Sequence, residues 1–277
     1  MQEEQHLPRL WSKTATWMGK LRRHMLRDIP VGRAVTLFPD DILLVSYPRS
    51  GNTWVRFLLS NLRDPASATS FSDVGTRAPD IYHHSDRKLR RVPRPRLLKS
   101  HEYLDPRYGT VIYLMRDPRD VALSYYRYQL KVRRVPAGQS TLEFVERFVS
   151  GELGHYGTWA EHVGGWLGAR ELDPRFLLVR YEDLLADTYG SLSRIATFLG
   201  LGSSPQQLHR AIDLSTAARM RRMEREQADD WAALRWSRQD IPFVGGASSG
   251  QGIRELPAQC LELINETWSP LLGRLGY

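Results

Sequence analysis

The chain of 277 residues holds a single cysteine, Cys260, so it can form no internal disulfide, and that usage suits a reducing compartment. Its longest apolar runs are about five or six residues, far below the roughly twenty that span a bilayer. The opening residues, Met1 to Gln5, lack the basic start and apolar run of a secretory signal. A cytoplasmic protein is expected. No repeat, low-complexity tract or internal linker divides the sequence, and its length suffices for one substantial core. Hydrophobic content of 42% and charged content of 25% are ordinary for a globular protein. Lys plus Arg total 39 against 31 for Asp plus Glu, a net charge of +8 that favours anionic ligands. Zinc-finger and RNP patterns are missing, so nucleic acid is not expected as a partner. No His, Cys and carboxylate spacing suggests a metal site.

What is present begins with Asp41-Ile-Leu-Leu-Val-Ser-Tyr-Pro-Arg-Ser-Gly-Asn-Thr-Trp54. Ile42 to Val45 read as a strand covered on both faces. Pro48 and Gly51 break it, and apolar spacing at Trp54, Phe57, Leu58 and Leu62 predicts a helix over 53–62. A strand feeding a helix through a small-residue loop aims free N–H groups and the positive helix end at one spot, which is an anion site. Arg49, Ser50, Asn52 and Thr53 add donors, and Trp54 offers a flat face for a base. An ordinary strand–helix turn would carry the same pattern with less chemistry.

Further strands are expected at 96–100, 110–115 and 176–180. Helices are expected from Asp117 to about Gln129 and over 141–150, 155–168, 188–199, 205–227 and 257–273. Residues 64–95 read as an irregular loop with short helices. Alternating strands and helices predict a three-layer α/β/α sandwich with a central parallel sheet, whose ligands bind beyond the carboxyl ends of the strands. Residues 8–27 carry Leu10, Trp11, Trp17, Met18, Leu21 and Met25 among basic residues. This basic amphipathic extension fits a helix packed on its own domain, or less commonly one lying on a membrane surface.

Two more constellations lie at strand ends. Arg116 follows the 110–115 strand and Ser124 lies two turns into the next helix, so a guanidinium fork and a hydroxyl can hold a second phosphate. A structural pair of Arg116 with Asp117 or Asp120 is the plainer alternative. Lys99 and His101 face one side of an extended chain. A neutral imidazole can accept a hydroxyl proton near neutrality, and an ammonium can stabilise charge on a leaving oxygen. Two exposed polar residues would look the same in isolation. His83, His84, His155 and His162 are expected to be solvated or structural.

Taken in order, Tyr47-Pro-Arg-Ser-Gly-Asn-Thr-Trp54, Leu98-Lys-Ser-His101, Arg116-Asp-Pro-Arg-Asp-Val-Ala-Leu-Ser-Tyr-Tyr126 and Arg180-Tyr-Glu-Asp-Leu184 resemble the soluble, cytosolic-type sulfotransferases that use 3′-phosphoadenosine 5′-phosphosulfate (PAPS). The resemblance runs over 38–277, beyond an extension at 1–37, and implies a P-loop-like sulfotransferase fold. By that resemblance Arg49, Ser50, Gly51, Asn52 and Thr53 cradle the 5′-phosphosulfate, with Arg49 standing where the family commonly has Lys. Trp54 stacks on adenine, Arg116 and Ser124 bind the 3′-phosphate, and Tyr181 and Ser215 contact the cofactor. His101 is the implied general base, with Lys99 and Arg49 stabilising the bridging oxygen. The expected partner is a small-molecule alcohol, phenol or amine acceptor, and a homodimer is compatible with the sequence. Positioning and electrostatics suffice for such a transfer, so no metal is expected.

The resemblance is interrupted towards the C-terminus. Ala217 stands where the family has Phe on the adenine, and Gly245, Gly246 and Ala247 replace Arg-Lys-Gly. Gly252-Ile253 replaces Trp-Lys. A weaker or differently closed nucleotide site is expected, with the glycine N–H groups and Arg238 or Arg254 as compensation. A P-loop small-molecule kinase would need a Lys-Ser/Thr end that residues 46–54 lack. A non-catalytic nucleotide-binding homologue would have no need of Lys99, His101 and Arg49. Residues 64–95, 127–140 and 225–245 are expected to line the acceptor pocket, with Tyr82, Tyr103, Tyr126, Trp231 and Trp236 among them.

Overall fold

The structure is a computed structural model that describes residues 32–136, 138–227 and 237–277. The expected helix at 8–27 and both Trp231 and Trp236 lie outside the described residues. In chain order the strands are β1 (Ile42–Ser46), β2 (Leu97–Ser100), β3 (Thr110–Met115) and β4 (Phe176–Arg180). The helices are α1 (Asn52–Arg63), α2 (Phe71–Arg77), α3 (Asp86–Leu89), α4 (Pro118–Lys131), α5 (Thr141–Val149) and α6 (Trp159–Arg170). They continue as α7 (Tyr181–Ala186), α8 (Thr188–Phe198), α9 (Pro205–Leu214), α10 (Ala217–Gln227), α11 (Gln251–Glu255) and α12 (Ala258–Leu275).

The strands form one parallel sheet in the order β2-β1-β3-β4. All of β1 is buried, as its unbroken apolar run requires. Alternate residues feed two cores. Leu43, Val45, Val111 and Tyr113 pack with Phe148, Trp159 and Trp166, whereas Ile42, Leu44, Ile112 and Leu114 pack with Val55, Leu58, Leu192 and Ile195. The expected three-layer sandwich is therefore the observed one. The chain leaves β1 to opposite sides for β2 and β3, so the carboxyl end of β1 lies at a switch point where a crevice opens.

Local chemistry moved one helix start, split a second helix and kinked a third. The helix expected from 155 starts at Trp159, because Thr158 caps it reciprocally with Glu161. The helix expected over 205–227 is two: Ser215 leaves helical geometry at φ −112°, and Thr216 Oγ accepts the Arg219 N–H to start α10. The last helix is kinked at Trp268, two residues before Pro270. Among the described residues no helix is long and apolar enough to cross a membrane.

Candidate active site

All four strands deliver functional residues at their carboxyl ends, and these converge on one cleft of about 1380 Å³. Arg49, Gly51, Asn52, Thr53, Trp54, Lys99, His101, Arg116, Ser124 and Tyr181 all line it. The loop after β1 turns with Arg49 at φ 72° and Gly51 at φ 97°, which makes a concave nest of backbone N–H groups beneath the start of α1. Gly51 is obligatory for a second reason: a Cβ there would lie 2.6 Å from the Tyr181 ring. Asn52 does not face a ligand through its amide nitrogen, which donates to the Leu44 carbonyl at 3.3 Å and Ser46 Oγ at 3.2 Å.

Arg49 reaches across the cleft. Its Nε donates to Ser124 Oγ at 3.2 Å and its Nη2 to the Phe243 carbonyl at 3.3 Å. Its guanidinium carbon lies 4.8 Å from the Tyr128 ring and 4.8 Å from the Phe243 ring. A flat delocalised cation suits such stacking better than an ammonium does, which accounts for Arg at this position. Burial, helped by the nearby Arg116, lowers its pKa to about 10, so it remains charged at neutral pH.

Arg116 lies 4.1 Å over the Tyr181 ring and forms an ion pair with Asp120 at 3.2 Å. The plainer structural pairing is thus present, but Arg116 Nε is buried and without a partner, as are Ser50 Oγ and Ser248 Oγ. Unpartnered buried donors beside a backbone nest fit the oxygens of an anion with two phosphate-like groups. Ser50 is fully buried and does not line the cleft, so its hydroxyl is not one of the donors facing that anion, contrary to expectation.

His101 Nδ1 lies 2.7 Å from the Ser46 carbonyl, which can only accept, so Nδ1 carries the proton and Nε2 is the free base. Burial, reinforced by Lys99, holds its pKa well below the ordinary 6.5, so the ring is neutral at neutral pH. Tyr82 stacks on it at 6.4 Å and Tyr156 meets it edge-on at 5.7 Å. Lys99 Nζ forms a direct ion pair with Asp80.

Helix α6 holds the loops beyond β2 and β3 from below. Its His162 Nε2, Trp166 Nε1 and Trp159 Nε1 donate to the carbonyls of His101, Glu102 and Arg116 at 3.2, 3.0 and 3.1 Å. Tyr113 O–H closes the other side of the His162 ring at 2.8 Å, and burial pushes that ring's pKa down to about 4. His162 is structural, as expected.

The structure corrects several expectations. Ser215 is fully buried, accepts the Asn61 amide at 3.0 Å and does not line the cleft. Its place at the C-terminus of α9 turns it into the interior. Tyr103 leans on His162, and Tyr126 packs on Phe144 because helical spacing from Ser124 brings Tyr128 to the cleft. Tyr82, His83, His84, Tyr125, His155 and Tyr156 line it as well. Arg238 pairs with Asp240, Arg254 donates to the Ser249 carbonyl, and neither reaches the cleft. Arg221 does line it, along with Arg56, Arg127 and Arg134, and its Nε donates to the Val244 carbonyl at 3.2 Å. It stands in a charged stretch, Arg219 to Arg225, with no recognisable motif around it.

Residues 238–252 roof the cleft and are held by charges. Buried Lys131 donates to the carbonyls of Arg238 at 2.9 Å and Ile241 at 2.7 Å, and pairs with Glu224 at 3.2 Å. Glu224 accepts the N–H groups of Phe243 and Val244 at 2.6 and 2.9 Å. Asp120 accepts those of Gly250 and Gly252 at 3.0 and 2.6 Å. Gly252 presses so closely on α4 that a Cβ would lie 2.2 Å from the Arg119 carbonyl carbon, so no larger residue fits there. Sequence reasoning missed Lys131 and Glu224, since neither belongs to a recognisable pattern.

Comparison with known proteins agrees with this geometry. A family model described as Sulfotransferase domain matches residues 39–252, and the chain belongs to that family. Sulfotransferase 2A2 of Rattus norvegicus is 36% identical over 188 residues, which are 64% of this chain and 65% of the relative. Sulfotransferase 2A1 of Homo sapiens is 32% identical over 180 residues, 61% of this chain and 62% of the relative. The matched part thus spans less than two thirds of the curated relatives' length. Retinol dehydratase in a complex with retinol and PAP superposes with a TM-score of 0.74 at 21% identity, covering 86% of this chain and 83% of that one. Mouse sulfotransferase SULT7A1 complexed with PAP gives 0.69 at 24% identity over 86% and 87%. At that identity the shared fold is the finding.

Proposed function

We propose that the chain is a PAPS-dependent sulfotransferase that transfers a sulfuryl group to a hydroxyl or amine of a small-molecule acceptor. The observation that carries this reading is His101: a neutral imidazole with Nδ1 tied to the Ser46 carbonyl and Nε2 free in the cleft, beside Lys99 and the nest. A base held in one tautomer next to an anion cradle is what in-line transfer from a phosphosulfate needs. Membership in the sulfotransferase family supports it, as do relatives crystallised with PAP.

The residues then divide the work. The nest from Arg49 to Thr53 receives the 5′-phosphosulfate, and Arg116 with Ser124 receives the 3′-phosphate. Trp54 and Tyr181 flank the adenine end. His101 Nε2 takes the acceptor proton as the acceptor oxygen or nitrogen bonds to sulfur. The bond from sulfur to the bridging phosphate oxygen breaks, and its electron pair stays on that oxygen, facing Lys99 and Arg49. The acceptor side, with the rings of Tyr82, Tyr125, Tyr128 and Tyr156, suits an alcohol, phenol or amine next to an aromatic body. The cytoplasm as its location and a homodimer as its assembly belong to the same reading, to be checked by fractionation and light scattering.

The test measures radiolabelled sulfate passing from PAPS to an acceptor panel. His101→Ala is expected to lower kcat by about 10²–10⁴ while PAP binding by calorimetry persists. Failure of the native protein to bind PAP would overturn the reading.

A further inference from the structure

Asp80 stands at the reacting centre without a part in donor binding or proton abstraction. An isolated parallel bridge pairs it with Lys99. In that bridge the Lys99 N–H donates to the Pro79 carbonyl at 2.9 Å and the Ile81 N–H to the Lys99 carbonyl at 3.2 Å. Backbone pairing therefore sets the two side chains next to each other. One Asp80 oxygen accepts the Tyr82 N–H at 2.9 Å. The other meets Lys99 Nζ directly and lies 3.6 Å from His83 Nδ1.

The Asp80 side chain is only 6% exposed, and a charge so removed from water persists only beside a counter-charge. Burial pushes its pKa up, but Lys99, His83 and His101 outweigh that and hold it below the carboxylate range. Lys99 also faces like charges, Arg56 on α1 and Arg49 in the loop after β1. His101 faces Lys99, Asp80 and His162, with the Tyr82, Tyr156 and Ser46 groups around it. Asp80 is the negative charge beside the Lys99 ammonium, with Arg56 and Arg49 as the like charges around it and the His101 ring neutral.

Resting on the sulfuryl-transfer reading, we propose that Asp80 is a positioning residue that anchors Lys99 Nζ beside His101. The ammonium can then be shared with the bridging oxygen as negative charge develops there. Without the carboxylate, Arg56 and Arg49 repel Lys99 away from the line of transfer, and His101 loses the neighbour that favours its protonated form.

Asp80→Asn keeps the shape and the acceptor for the Tyr82 N–H but removes the charge. Its kcat is expected to fall about ten- to a hundredfold, the loss that misplacing a catalytic group produces. PAP affinity by calorimetry should stay close to that of the native protein. The acid limb of the kcat–pH profile should move, because His101 loses the Asp80 charge and the Lys99 ammonium beside it changes place, a change that a purely structural role would not produce. Asp80→Glu should recover part of the rate. Native kcat and an unmoved acid limb in Asp80→Asn would overturn the proposal. So would equal loss of PAP binding and melting temperature in both variants, the mark of a collapsed loop. Native protein and His101→Ala measured alongside separate the two ideas: if the native protein transfers no sulfate from PAPS, the sulfuryl-transfer reading fails; if it does, His101→Ala is dead and Asp80→Asn is native-like, only the role of Asp80 fails.

Discussion

The cradle and the roof of the cleft are built on different principles. The cradle, at 47–54, 99–101 and 116–124, hangs from strand ends whose places are set by the hydrogen-bonded sheet. The roof, 238–252, has no strand or helix before Gln251, and charged side chains from α1's loop, α4 and α10 fasten it. Arg49 and Arg116 belong to both, because each also donates to a roof carbonyl, of Phe243 and Ser248 respectively. A site with this division keeps its chemistry fixed while its cover depends on a few buried ions.

The sharpest way to break the contrast is Lys131→Met. It leaves Glu224 buried without its counter-charge, and breaking such a pair costs roughly 3–5 kcal/mol. Urea denaturation is expected to register that loss, and hydrogen exchange should rise at Phe243 and Val244 more than in β1 and β3. Equal protection changes in the roof and sheet would erase the distinction.

Acid should act on the cradle in the opposite way. His162, under the loop after β2, is held neutral with its pKa near 4 by burial, below its value in the unfolded chain. The unfolded state therefore binds more protons as pH falls below about 6.5, and stability declines with falling pH until His162 itself titrates near 4. The shift corresponds to roughly 3 kcal/mol for His162, with His101 adding in the same direction. His162→Phe should flatten the pH dependence of the melting temperature over that range.

On α10 beneath the roof, Arg221→Ala is expected to weaken PAP binding by roughly 1.5–3 kcal/mol, the value of a charge-assisted hydrogen bond. Arg238→Ala, which breaks only an exposed pair with Asp240, should leave calorimetric affinity unchanged. Reversal of the two would mean that the roof presents its other face to the nucleotide.

Legibility follows the same line. Residues 42–54 could be read because a fully buried strand, a glycine at positive φ and a helix start each impose a local composition. Arg116 and His101 were legible as strand-end residues. Ser215 was misplaced because only packing around Asn61 shows that its hydroxyl turns inward. Arg221 belongs to no recognisable motif, and its reach to Val244 depends on a partner 23 residues away.

By itself the sequence determined the alternation of strands and helices and the cradle residues at the strand ends, since burial periodicity and turn chemistry act within a few residues. Only the tertiary structure decided that Arg221 faces the cleft, that Asp80 rather than solvent meets Lys99, and how the roof is fastened. Those outcomes rest on buried charges finding partners far away in the chain. The electrostatic cost of leaving such a charge unpaired depends on the whole surrounding protein and leaves no local pattern.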